Sequence, residues 1–217
     1  RIPPGDFSAV QWTDVGLPRK LSVRVHEAGW MWSGGFSLDN AGDLFLKLRH
    51  RDRGITRIVR VEISHSSEDG TKKIVLRSTP EAFTPYRLDN CSLDTLTVRQ
   101  KGVTDQQDVL RPYCSLAYAW DEPSMAHQIT VERPGGQVVG SFDLDKVGFE
   151  EVFGSKKGSI TRLATEPKAG PVKALVGRST SAGAAGAGPS TLVVRVTAEG
   201  PVRVLTIMDL AYHQRSP

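Results

Sequence analysis

The chain has 217 residues, a net charge of +4 and a hydrophobic content of 39%, a globular composition long enough for one large domain or two small ones. No run of about 18 apolar residues occurs, so no helical membrane span is encoded. Lysine and arginine are spread along the chain apart from "RHRDR" at 49–53, which falls short of the dense basic stripe of a nucleic-acid binder and allows only a weak attraction to anionic lipid headgroups.

Period-two alternation dominates from the N-terminal side onward. "KLSVRVH" at 20–26, "DLFLKLR" at 43–49, "RIVRVEIS" at 57–64 and "KKIVLRS" at 72–78 read as half-buried antiparallel strands. In the third of these Val59, Val61 and Ile63 share one face and Arg60, Glu62 and Ser64 the other. Between the first two, Trp30 and Trp32 alternate in "GWMWSGG" and are expected on one face of a strand as core, with Met31 opposite. "SSEDG" at 66–70 is a hairpin loop by composition. Further strands are "DTLTVRQ" at 94–100, "HQITVE" at 127–132, "TLVVRVTAEG" at 191–200 and "PVRVLTIMD" at 201–209. "STSAGAAGAGPS" at 179–190 reads as an exposed flexible loop. No amphipathic helix beyond about two turns is encoded. The fold class is all-β, as one sandwich or a pair of them.

An internal repeat sets the domain frame. "FSLDNAG" at 36–42 matches "FDLDKVG" at 142–148, an offset of about 106 residues. "LSVRVHEAG" at 21–29 matches "QITVERPGG" at 128–136 at nearly the same offset, and Trp12 with Asp14 precedes the first copy as Trp120 with Asp121 precedes the second. A repeated Trp-Asp element points to structure. The indole is expected to fill the space between two sheets and reach a backbone carbonyl with its N–H, and the Asp to cap a turn. The second copy has a lead-in, "TPYRLDNCSLDTLTVRQ" at 84–100. The equivalent lead-in of the first copy would fall before residue 1. The expectation is therefore a truncated first β repeat over 1–84 and a complete second repeat over 85–217. The chain starts at Arg1 without a signal peptide and reads as a piece of a longer protein.

Catalytic and metal signatures do not emerge. The five histidines lack HxH or HExxH spacing, and no nucleophile elbow or phosphate-binding glycine loop occurs. "DLD" at 143–145 straddles a strand, and only its second Asp recurs in the repeat, so a turn or strand-end role is favoured over paired catalytic carboxylates or a calcium loop. Cys91 and Cys114 form no CxxC or Cys/His pattern. They read as reduced and intracellular, with a single disulfide as the alternative. "NCS" at 90–92 is formally a glycosylation sequon. No enzyme activity, cofactor or metal is expected.

"PYRLDNCSLDTLTVRQ", "RPYCSLAYAWDEP", "ITVE", "FDLDKVGFEE" and "VVRVTAEGPVRVLTI" follow one another in an order that resembles the adaptor-binding region of the vacuolar protein sorting-associated protein 13 family, which comprises bridge-like lipid transfer proteins; the region is also described as a SHORT-ROOT-binding domain. "YAWDEP" and "EGPVRVLTI" are the most specific pieces, and "WSGGFSLDNAGD" in the first unit fits as well.

The resemblance implies a tandem array of all-β repeats, of which this chain looks like the last two. It implies binding of short Pro-x-Pro segments of organelle adaptors, which targets the parent lipid-transfer chain to organelle membranes and contact sites from the cytoplasm. The family's signature Asn matches Asn90. Its side chain both donates and accepts, so it reads first as a loop organiser and second as a peptide contact. The expected site lies around Asn90 and the strand carrying Thr97 and Arg99, with Tyr118 and Trp120 in support. A C2-like sandwich that binds anionic membrane lipids is the alternative, for which "SKKGS" at 155–159 would be the basic loop.

Overall fold

A computed structural model describes residues 1–12, 16–68, 70–154, 160–161 and 191–214. The loop expected at 179–190, the basic stretch at 155–159 and Asp14 lie outside these residues.

The described chain is nearly all sheet. The first unit holds β1 (Lys20–Leu21) paired with β2 (Phe36–Ser37), and an antiparallel meander of β3 (Gly42–Arg49), β4 (Thr56–His65) and β5 (Lys72–Ser78). The β4–β5 hairpin closes where expected, with the Ser66 N–H donating to the Thr71 carbonyl at 2.8 Å. Phe36, Leu38, Leu46, Val61 and Ile63 form the core of this unit, with Trp12, Leu21 and Ile74 packed against it.

The second unit is a sandwich of two sheets. One has the order β11 (Gln137–Asp143), β10 (Gln128–Arg133), β7 (Leu96–Gln100), β8 (Asp108–Leu110). The other runs β13 (Ile160–Thr161), β12 (Phe149–Phe153), β14 (Leu192–Glu199), β15 (Val202–Asp209), β6 (Tyr86–Cys91), β9 (Ser115–Tyr118). All pairings in these sheets are antiparallel except β15 with β6. Alternate residues of both inner faces meet in one core that includes Leu88, Val98, Trp120, Ile129, Phe142 and Ile207, each contributing about 2 kcal/mol by leaving water. A one-turn helix, α1 (Leu210–His213), follows β15.

The repeat recurs at the level of register. Leu21 faces Phe36 across β1–β2, and Ile129 faces Phe142 across β10–β11. Phe36 and Leu38 enter one core, and Phe142 and Leu144 the other. Both copies then make the same turn: the Asp39 N–H donates to Ser37 Oγ at 3.2 Å, and the Asp145 N–H to Asp143 Oδ1 at 3.1 Å. The β3–β4–β5 meander corresponds to β12–β14–β15. In the second unit β6 covers the edge of β15, whereas no described strand covers that of β5.

Two expectations are corrected. "KLSVRVH" is a strand only at Lys20–Leu21, because Val23 is tied to a single residue instead of a ladder: Ser33 Oγ accepts from its N–H at 3.0 Å and the Ser33 N–H donates to its carbonyl at 2.8 Å. Trp30 and Trp32 are not both core. Trp30 is 6% exposed and Trp32 60%, since the segment joins its neighbours through an isolated bridge between Trp30 and His50 and forms no continuous strand.

Candidate functional site

Asn90 sits on β6 with 1% of its surface exposed. Its two amide protons are shared among the carbonyls of Asp94 (2.8 Å), Leu110 (3.1 Å) and Arg111 (3.1 Å). Its Oδ1 accepts from the Ser92 N–H at 3.0 Å and from Ser92 Oγ at 2.7 Å. The side chain thus pins the β6–β7 turn to the segment that joins β8 to β9, with its donors and acceptor already occupied. Such a buried amide presents nothing to glycosylating enzymes, so the formal sequon is unusable in the folded chain. Cys91 and Cys114 are free thiols, and burial, with Asp89 nearby, pushes the Cys91 thiol pKa up, away from reactive thiolate chemistry.

Thr97 and Arg99 project from the outer face of β7, where Arg99 pairs with Glu132. β7 is interior, hydrogen-bonded to β10 on one side and β8 on the other. It has no free edge to offer a peptide, and any contact at Thr97 or Arg99 would run through side chains alone.

Tyr118 and Trp120 are buried, at 0% and 4% exposure. Trp120 stacks on His127 at a 4.7 Å centroid distance and meets Tyr86 and Tyr118 edge-on at 5.0 and 5.3 Å. The expected hydrogen bond from its indole N–H to a backbone carbonyl is absent; the indole packs among three aromatic rings instead. The Tyr118 ring carries the Lys47 ammonium 3.7 Å from its centroid. Burial, with Asp121 and Asp108 nearby, pushes the Tyr118 hydroxyl pKa up. The "DLD" carboxylates are strand-end groups: Asp145 accepts from Tyr86 Oη at 3.0 Å and lies 2.9 Å from His127 Nδ1. Among the described residues no three His, Cys, Asp or Glu side chains cluster as a metal site.

The two units meet through β3. Leu46 bridges in parallel to Trp120, and the Gly34 N–H donates to the Asp121 carbonyl at 3.2 Å. Beside this contact lies a buried charge cluster. Lys47 Nζ is 2.6 Å from Asp108 Oδ2, and Arg49 reaches Asp108 at 2.8 Å and Asp121 at 2.6 Å. Asp121 is therefore an ion-pair partner of the first unit and not the turn cap expected for it. Two cations facing two carboxylates leave the cluster neutral, which is what makes burial of these charges tolerable. The sequence carried one weak signal of it: Lys47 and Arg49 alternate with apolar residues on β3, so both point to the face opposite the first core.

One edge of the second sandwich stands out. β9 pairs with β6 on one side, and on its other side the described residues supply only the Leu46–Trp120 bridge. The Asn90 N–H donates to the Cys114 carbonyl at 2.9 Å. With the β6–β9 register, that bond makes 90/114, 88/116 and 86/118 the hydrogen-bonded pairs. Ser115 and Ala117 consequently turn their N–H and C=O groups outward. Tyr113, 64% exposed and at φ 55°, lies two residues before this edge.

Over residues 1–127 the chain matches the family model of the vacuolar-sorting associated protein 13 adaptor binding domain. It is similar to intermembrane lipid transfer protein vps13A of Dictyostelium discoideum, with 24% identity over 152 residues, 68% of this chain and 4% of that protein. It is also similar to intermembrane lipid transfer protein VPS13D of Homo sapiens, with 30% identity over 135 residues, 61% of this chain and 3% of that protein. Intermembrane lipid transfer protein vps13B of Dictyostelium discoideum shares 27% over 149 residues, 65% of this chain and 2% of that protein. The chain spans only these few per cent of its relatives' length.

Proposed function

The chain belongs to the vacuolar-sorting associated protein 13 adaptor-binding domain family, and we propose that it captures an extended Pro-x-Pro segment of an adaptor by strand addition along the outer edge of β9. The observation that carries this reading is that edge itself, with the outward main-chain groups of Ser115 and Ala117. The four residues of β9 span roughly 13 Å, enough for a three-residue core.

Edge addition also explains the spacing of the prolines. Successive residues of a strand direct their N–H and C=O groups to opposite sides. Prolines at i and i+2 therefore turn the same way, and their missing N–H groups fall on the side away from β9. The middle residue turns toward β9 and makes the hydrogen bonds. The prolines are pre-extended, so little ordering entropy is lost, and they block pairing of a further strand. Asn90 acts by holding the loops at the end of the edge, while Tyr118 and Trp120 support it from the core.

Other edges fit less well. β8 has three residues, with Asp108 committed to the first unit. β5 occupies the place that β15 holds in the second unit, so its edge is the seat of a repeat-internal strand. Capture at β9 would place the parent lipid-transfer chain at organelle membranes and contact sites. Among the described residues no helix is long and apolar enough to cross a membrane, so attachment through a bound adaptor suits the module.

Fluorescence polarisation with labelled peptides tests the reading. A Pro-x-Pro peptide binds saturably, an Ala-x-Ala control binds at least about tenfold more weakly, and Ala117→Pro, which removes one outward N–H without touching the β6–β9 ladder, abolishes binding at an unchanged melting temperature. Equal binding of both peptides would overturn it.

A further inference from the structure

The β3–β4 loop and residues 24–32 form a basic, partly apolar surface at the end of the first unit, away from the β9 edge. Backbone bonds make it one surface: the Met31 N–H donates to the Arg49 carbonyl at 2.9 Å and the Arg51 N–H to the Gly29 carbonyl at 2.8 Å. Gly29 has φ +86°, and a Cβ there would lie 2.3 Å from the His50 ring, so only glycine lets the two loops approach so closely. The His50 N–H donates to the Ile55 carbonyl at 2.9 Å, which closes the loop at its base, where Ile55 precedes β4.

Four arginines crowd this end. Arg24 lies over the Trp32 ring at 4.7 Å and Arg57 over Trp30 at 4.9 Å; Arg51 and Arg53 sit on the loop between. Glu27 and Asp52 are the local carboxylates, and only Arg53 is paired, to Glu27 at 3.6 Å, among the described residues. A guanidinium laid on an indole face keeps its in-plane N–H donors available for a phosphate. Trp32 is 60% exposed and Ile55 45%. Exposed Trp and Ile beside unpaired arginines fit the boundary between headgroups and acyl chains, where an indole is at home and cations meet anionic lipid. A soluble anion would have no use for the apolar pair.

We propose that this end of the first unit is a peripheral membrane contact. Trp32 and Ile55 enter the headgroup boundary of an anionic leaflet, and Arg24, Arg51 and Arg57 engage lipid phosphates. The contact is separate from adaptor capture and adds to it as a second weak attachment does.

The test is co-sedimentation of the 217-residue chain with phosphatidylcholine vesicles, with and without about 30 mol% phosphatidylserine, in low and in raised salt. Tryptophan emission is recorded alongside. The expected result is binding to the anionic vesicles only, weakened by salt, with a blue shift that disappears in Trp32→Ala. Arg51→Glu combined with Arg57→Glu lowers vesicle binding at least about tenfold. The same variant keeps its melting temperature and its affinity for a Pro-x-Pro peptide, which separates failure here from failure of the adaptor reading. Three results overturn the proposal: no binding to anionic vesicles, binding unchanged in both variants, or binding to polyphosphate or nucleic acid in preference to vesicles.

Discussion

Arg49 clamps Asp121 at two points, with Nε 2.6 Å from Oδ1 and Nη2 2.9 Å from Oδ2. The same guanidinium reaches Asp108, so one side chain of the first unit gathers two carboxylates of the second. Removing it strands buried negative charge. Arg49→Met is expected to cost about 3 kcal/mol, read as a lowered urea midpoint. Arg49→Lys keeps the charge, loses the fork and recovers only part of that stability.

The cluster should also make stability depend on acid. Burial pushes the Asp108 carboxyl up, but Lys47 and Arg49 outweigh it and hold its pKa below the ordinary carboxylate range. A folded value below the unfolded one means that the unfolded chain takes up protons first as pH falls. The stabilisation is complete above the unfolded value near pH ~4 and is lost as pH drops through the folded value. Urea midpoints followed downward from neutral pH should fall below about pH 4, and the part due to this group should be missing in Asp108→Asn.

Gly34 tests the closeness of the two units. A Cβ at this position would lie 2.3 Å from the Asp121 carbonyl oxygen and 2.9 Å from Glu122 Cα, and main chain cannot swing aside. Gly34→Ala is expected to force the units apart, with a loss of about 2 kcal/mol and faster proteolysis between them. Gly35→Ala, whose Cβ would meet nothing closer than 3.8 Å, is the tolerated control.

Asn90→Ala would leave the carbonyls of Asp94, Leu110 and Arg111 without the amide that now satisfies them. The expected cost is about 3 kcal/mol, seen in denaturant melts. Peptide affinity falls in the same variant because the loops beside β9 lose their anchor. A variant that melts normally but loses the peptide would instead make Asn90 a direct contact.

Tyr113 holds a left-handed backbone that tyrosine seldom adopts. The residue is exposed and lies two positions before β9, so under the proposed capture its ring is expected to stack on a proline. Tyr113→Ser should weaken the Pro-x-Pro peptide by about 1 kcal/mol in fluorescence polarisation, and Tyr113→Phe should leave it unchanged.

Much of the sheet was legible because alternation is a local property. β3, β4, β5, β7, β10, β14 and β15 lie within or close to the segments that read as strands, and Phe-x-Leu-Asp marks the same turn in both copies. β6 and β9 were harder to read: "YRLDNC" and "SLAY" are short and mixed in polarity, and their strand character comes from pairing with each other and with β15. The strand carrying Thr97 and Arg99 looked like a docking strand, yet edge or interior position depends on which distant strands pair. The pairing of Lys47 and Arg49 with Asp108 and Asp121 escaped notice for the same reason, since residues 59 to 72 positions apart cannot be paired by local pattern. Trp32 failed the alternation rule because no continuous ladder holds its segment.

The most direct measurement is amide hydrogen exchange across residues 110–120 of the free and peptide-bound chain. Capture at β9 predicts that a Pro-x-Pro peptide selectively slows exchange at the Ser115 and Ala117 amides, which point away from β6 in the free chain. Protection confined to β5 or β11, with Ser115 and Ala117 exchanging as before, would contradict it.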